Sequence, residues 1–278
     1  MPFRIVQSKQ NARLKDLRRA LGHPGREARG LAGIEGRNLI EEALRAGLRF
    51  ESVFIAQGSE ALAAELNLPP ELDVLLLPRD LLDQALATET PQPIAALIEP
   101  PDWTWAHMLG AHRKGAPLIV VLAGLQDPGN LGTILRSAEA FGANGVIALP
   151  GTVSAWNPKA VRASAGSVFR VPLVAVSEAE CLARLREAGA RILAATVSAA
   201  QPADLADLAG PVALIIGNEG NGVPHELAEK ADGAITIPCP GPVESLNAAV
   251  AASVLLYEAS QQRSVRRGGR LDHLGGQR

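Results

Sequence analysis

Two α/β domains in series are predicted by three observations. Strand-like apolar runs alternate with helical stretches along most of the chain, a proline-rich stretch breaks the alternation near residue 100, and the runs beyond it are continuously apolar. Continuous apolar strands separated by helices indicate a mostly parallel sheet covered by helices on both faces.

The elements follow in order. Residues 36–44 have helical apolar spacing and residues 51–56 read as a strand. A short helix at 59–66, a strand at 73–77, a helix at 79–87 and a strand at 93–98 complete a smaller α/β module. The prolines of 99–117 mark a linker, which holds Trp103 and Trp105. Aromatic residues there are expected to pin the linker against a neighbouring domain rather than to stack on bases. Beyond it, strands are expected at 118–123, 145–149, 191–195, 212–216 and 234–237, with helices at 131–141, 178–188 and 244–260. The expected division is a substrate-binding domain at 1–100, a linker at 101–116, a larger domain at 117–262 and a basic, flexible tail at 263–278.

With 278 residues, 47% of them hydrophobic, the chain can bury a real core. Cys181 and Cys239 stand alone, so neither a disulfide framework nor a metal site is suggested, and a reducing cytoplasm fits. No apolar run approaches the roughly 20 residues of a membrane span, and the first residues do not resemble a secretory signal. The net charge of −2 conceals an uneven distribution. Residues 1–50 carry eleven Lys or Arg against five acids, residues 51–100 only Arg79 against nine acids, and residues 261–278 five arginines against one acid. Such base-rich ends can bind phosphates, although on charge alone a solvated charged surface is the favoured reading.

Three segments after strands of the second domain are rich in small and polar residues, where ligands of open α/β sheets bind. The first, Asp127-Pro128-Gly129-Asn130-Leu131-Gly132-Thr133-Ile134-Leu135-Arg136, enters a helix that Asn130 is placed to cap. The second, Gly217-Asn218-Glu219-Gly220-Asn221-Gly222, permits sharp turns and close approach to a ligand. The third, Ile237-Pro238-Cys239-Pro240-Gly241-Pro242-Val243-Glu244-Ser245-Leu246-Asn247, is a rigid loop that puts Ser245 and Asn247 in the opening turn of a small-residue helix. Taken singly, each segment is also explained by helix capping or an ordinary turn.

Together, N-x-G-x-x-x-R, then G-N-E-x-x-G, then E-S-L-N-A-A resemble the three characteristic motifs of the SpoU (TrmH-like) family of RNA ribose methyltransferases, in the SPOUT superfamily. The segment around Gly30-Leu31-Ala32-Gly33-Ile34-Glu35-Gly36-Arg37 is similar to the ribosomal-protein-like RNA-binding module that precedes the catalytic domain in many members.

The resemblance implies a trefoil-knotted C-terminal domain, a homodimer, and transfer of a methyl group from S-adenosylmethionine to a ribose 2′-hydroxyl of RNA. Large-subunit ribosomal RNA is the first expectation and transfer RNA the second. It implies Asn130, Arg136, Glu219, Ser245 and Asn247 as active-site residues. Around the cofactor it implies Thr196, Val197, Gly217, Asn218, Gly220, Ile237, Pro238, Ser245 and Leu246. Arg13, Lys15, Arg26, Arg29, Arg37 and Arg136 are expected to meet RNA. Because an arginine side chain keeps its proton in proteins, Arg136 is expected to grip phosphate and stabilise a developing alkoxide rather than act as a base. Glu219 is expected to fix loop geometry. Two other readings stay open at this point: a catalytically silent RNA-binding protein on the same scaffold, and a nucleotide-dependent enzyme with an ordinary doubly wound sheet. The second lacks the G-x-G-x-x-G it requires.

Overall fold

The computed structural model describes residues 3–22, 30–86, 88–110, 115–198, 201–243 and 245–266. The chain forms two compact units, the first from residues 1–102 with 154–170, the second from residues 103–153 with 171–278.

The first unit contains β1 (Phe3–Ile5), α1 (Ala12–Gly22), β2 (Ala32–Glu35), α2 (Arg37–Arg45), β3 (Phe50–Ala56), α3 (Ala61–Glu65), β4 (Val74–Leu77), α4 (Arg79–Asp83) and β5 (Ile94–Ile98). Its sheet has the order β1-β4-β3-β5-β2, with β1, β4 and β3 parallel and β5 antiparallel to both its neighbours. Leu14, Leu17 and Leu21 of α1 join Phe54, Leu75, Leu77 and Leu97 in one core. Three elements escape the periodicity argument. Helix α1 carries so many charges that its apolar stripe is diluted, β1 has three residues, and β2 contains Gly33. That glycine has a packing reason, because a Cβ there would lie 2.8 Å from Leu21 Cγ.

The second unit begins with α5 (Trp105–Leu109) and continues with β6 (Leu118–Leu122), α6 (Pro128–Ala140) and β7 (Gly145–Ala148). The chain then enters the first unit as α7 (Pro158–Ser164) before returning. There follow β8 (Leu173–Ala175), α8 (Glu178–Glu187), β9 (Arg191–Ala195), β10 (Gln201–Pro202), β11 (Val212–Ile216), α9 (His225–Glu229), β12 (Gly233–Thr236) and α10 (Ala248–Arg266). The seven strands run in the order β10-β12-β9-β11-β6-β7-β8, every pair parallel. Ile119 and Val121 of β6 pack with Cys181, Leu182 and Leu185 of α8 and with Leu227 of α9. Alternation along a strand sends Val120 and Leu122 to the opposite face, the side on which α10 packs against α6 and β11. This is the doubly covered parallel sheet predicted.

The linker is not structureless. Trp103 and Trp105 pack on the core of the second unit, and Trp105 Nε1 donates to Glu180 Oε1 at 2.9 Å. Two further differences concern the last helix. It begins at Ala248, not near 244, so Ser245 and Asn247 precede it. Asn247 sets that start, since its Oδ1 accepts the amides of Ala249 (2.9 Å) and Val250 (3.3 Å), while the three prolines upstream withhold amide donors. At the other end the helix runs on to Arg266, into the stretch expected as tail. Arg263 holds it there, donating from Nε to the Leu208 carbonyl (3.0 Å) and from Nη2 to that of Pro117 (3.1 Å). The rest of the tail, 267–278, lies outside the described residues. Among the described residues no helix is long and apolar enough to cross a membrane.

Candidate active site

Strands β12, β9, β11 and β6 are consecutive neighbours in the parallel sheet, so the loops at their carboxyl ends share one edge. These loops contain all three polar segments. Parallel strands place ligand sites at this edge because every loop there follows a strand pointing the same way.

Helix α6 is built from Asp127, whose carboxylate accepts the Asn130 amide at 2.9 Å, with Pro128 in the first turn. Asp127 is therefore the cap, and the expectation that Asn130 plays that part is corrected. The Asn130 side chain bridges instead: Nδ2 donates to Glu219 Oε1 at 2.9 Å, and Oδ1 accepts from Asn247 Nδ2 at 3.0 Å. Asn247 is locked by the α10 amides that occupy its Oδ1, leaving only its NH2 to point at Asn130. One residue from each segment thus joins a single hydrogen-bond chain of fixed direction.

Glu219 closes the chain, also accepting the amides of Gln126 (3.3 Å) and Asp127 (3.1 Å). Burial pushes its carboxyl up, but the hydrogen bonds from Asn130 and from the backbone amides of Glu219, Asp127 and Gln126 outweigh it and hold it below the usual range. A carboxylate so held is a weak proton acceptor and a firm anchor.

The loop bearing Glu219 is shaped by Asn218. Its Nδ2 donates to the Gly124 carbonyl (2.9 Å), its Oδ1 accepts the Gly220 amide (2.8 Å), and its backbone bonds reciprocally with Gly222. Gly217 is required by that fold-back, because a Cβ would lie 2.0 Å from the Gly222 carbonyl carbon.

The other expected residues fall around this cluster without joining its bonds. Thr196 and Val197 follow β9, Ile237 and Pro238 follow β12, and Ser245 and Leu246 precede Asn247. Leu246 and Ile237 are half-buried, Val197 and Ser245 exposed. Arg136 is exposed six residues beyond Asn130 on α6, about 9 Å along the axis, with no partner among the described residues. Sequence reasoning passed over Asp127, although Asp-Pro ahead of an apolar helix is a start signal. It also passed over the Gln126 amide, which no side chain advertises.

Of the residues expected to meet RNA in the first unit, two of the three described are engaged. Arg13 pairs with Glu51, and Arg37 pairs with Glu41 (3.0 Å) and Glu65 (2.6 Å). Lys15 is exposed, while Arg26 and Arg29 lie outside the described residues.

Residues 117–257 match the SpoU rRNA Methylase family, and residues 34–104 match the RNA 2′-O ribose methyltransferase substrate binding family. The chain is 32% identical over 256 residues to the 23S rRNA (guanosine(2553)-2′-O)-methyltransferase RlmP of Bacillus subtilis, covering 91% of this chain and 97% of that one. It resembles the crystal structure of the SpoU methyltransferase AviRb from Streptomyces viridochromogenes in complex with AdoMet, with a TM-score of 0.82, 29% identity, and coverage of 94% and 100% of the two chains. An AdoMet-bound rRNA methyltransferase from Sinorhizobium meliloti gives a TM-score of 0.80 at 29% identity, covering 93% and 98%. A family match over half the chain and a relative aligned along nearly all of it agree with the three linked segments: this chain belongs to the SpoU rRNA methylase family.

Proposed function

We propose that the chain methylates a ribose 2′-hydroxyl of large-subunit ribosomal RNA, with S-adenosylmethionine as donor. The observation that carries this is the linkage of Asn130, Glu219 and Asn247 at one sheet edge, with the exposed Arg136 on the helix of Asn130 and without a partner among the described residues. Relatives named for rRNA methylation and bound AdoMet support it.

The loops fit the cofactor chemically. Residues 195–198 and 237–243 carry no charged side chain, and they offer backbone groups, the Thr196 hydroxyl and apolar surface at Val197 and Ile237. Such a surface suits an adenosyl group read by backbone hydrogen bonds, with Gly217, Asn218, Gly220, Pro238 and Leu246 completing it. When bound, the sulfonium supplies an already activated methyl group. The protein's tasks are alignment and handling the hydroxyl proton. Arg136 grips the phosphate beside the target ribose and stabilises the developing alkoxide, whose proton passes to phosphate or water. Asn130 and Ser245 orient the ribose and phosphate. Glu219, its oxygens already accepting three N–H groups, holds Asn130 in place.

In the same proposal, residues 1–100 bind the RNA substrate, 101–116 link, and 117–262 form a trefoil-knotted methyltransferase domain. A homodimer is supported by α10, where Val250, Val254 and Tyr257 form a stripe 48%, 39% and 50% exposed. A cytoplasmic setting is supported by the free thiols Cys181 and Cys239.

The test is methyl transfer from labelled S-adenosylmethionine to unmodified large-subunit ribosomal RNA and to transfer RNA, with the product mapped for 2′-O-methylation. Labelled ribosomal RNA is expected. Label in transfer RNA alone would overturn the choice of acceptor, and S-adenosylmethionine that does not bind in calorimetry would overturn the enzyme.

A further inference from the structure

The sequence places residues 154–170 inside the larger domain, yet they belong to the first unit. Their seating is tight. Arg170 Nη1 donates to Glu42 Oε2 at 2.6 Å, and Gly166 turns with a positive φ of 88° so close to α2 that a Cβ would lie 2.7 Å from Glu42 Cβ. Trp156 stacks on Phe169 with centroids 6.1 Å apart, and Ala160, Val161 and Ser164 bury the inner face of α7. The outer face carries Lys159 and Arg162, three residues apart and both exposed. Between Glu139 and Glu178 the chain has no acid and three bases, Lys159, Arg162 and Arg170.

Most other described guanidiniums of the first unit are already paired. Arg4, Arg13, Arg37, Arg45, Arg49, Arg79 and Arg170 each pair with a carboxylate, while Arg18, which has none, is half-buried with its Nε shielded from solvent. Arg162 is exposed with no partner among the described residues. A guanidinium already neutralised by a carboxylate must break that pair to meet a phosphate, whereas one in water gives up only solvent and counterions.

We infer that the outer face of α7, through Arg162, is an RNA phosphate-binding site on the substrate-binding unit. This rests on the RNA methyltransferase reading. Contacts of this kind set position and affinity without reading sequence, and each displaces about one counterion.

The test uses the full chain, an unmodified large-subunit ribosomal RNA transcript and the variants Arg162→Gln and Arg162→Lys, all checked by thermal melting. For Arg162→Gln, Kd is expected to rise about fivefold and the slope of log K against log salt to fall by about 0.9, with kcat at saturating RNA unchanged. Arg162→Lys, which keeps the charge, is expected within about twofold of the parent. If Arg162→Gln binds with the parent's Kd and salt slope while the parent methylates the transcript, the site is overturned and the methyltransferase reading stands. A parent that neither binds nor methylates the transcript overturns both.

Discussion

At the carboxyl ends of β12, β9, β11 and β6, uncharged amides and one carboxylate are bonded to each other and to backbone, and the arginine on α6 is left open. On the first unit the opposite holds: arginines are abundant, and Arg13, Arg37 and Arg45 are each tied to glutamates. The comparison teaches that charge counted along a chain is not charge available to a ligand. A phosphate meets an open guanidinium at the cost of its hydration alone. At Arg37 it competes with two carboxylates.

The sharpest way to break the contrast is Arg136→Ala. Since Arg136 makes no side-chain bond among the described residues, Tm should stay put while kcat/KM falls about 10²–10³-fold, as for loss of one donor to a developing oxyanion. A parallel fall in Tm would make Arg136 a structural residue and erase the distinction. Arg136→Lys refines it, because activity kept by charge alone argues against a two-pronged grip.

Glu219→Gln should act on both readouts, lowering stability by about 0.5–1 kcal/mol, since water reaches the site, and kcat/KM about tenfold, because an NH2 would face groups that themselves donate. Its pH dependence has a definite sign. The folded-state carboxyl lies below its ordinary value, so its contribution is complete above the unfolded value and is lost as pH falls through the lower folded one. Melting across the acid range should show that loss in the parent and not in Glu219→Gln.

The smallest effect is expected of Arg37→Ala, which should change RNA Kd less than about twofold, since Glu41 and Glu65 already occupy its guanidinium. A larger loss, with a reduced salt slope, would mean that RNA displaces the glutamates.

The second unit was readable in sequence because its strands are buried on both faces, so 118–122, 192–195 and 212–216 stand out as unbroken apolar runs. The three segments were readable because their residues are chemically uncommon after strands. What stayed hidden depends on partners distant in sequence. Periodicity could not show that 154–170 packs against α2, or that Arg13 would meet Glu51. The start of α10 was misplaced for a local reason, as Glu244 and Ser245 have ordinary helix-opening chemistry while the cap belongs to Asn247.

The hydrogen-bond chain from α10 through Asn247 and Asn130 to Glu219 has one polarity, and this restricts the alphabet of the site. Each middle link must take a proton-bearing partner on one arm and offer a proton on the other, which among side chains of that length only a primary amide does. An aspartate at 247 would still cap the helix but would hand nothing on, and an aspartate at 130 would set two carboxylates against each other. Spontaneous deamidation at either position would therefore break this chain of bonds with the surrounding fold still standing.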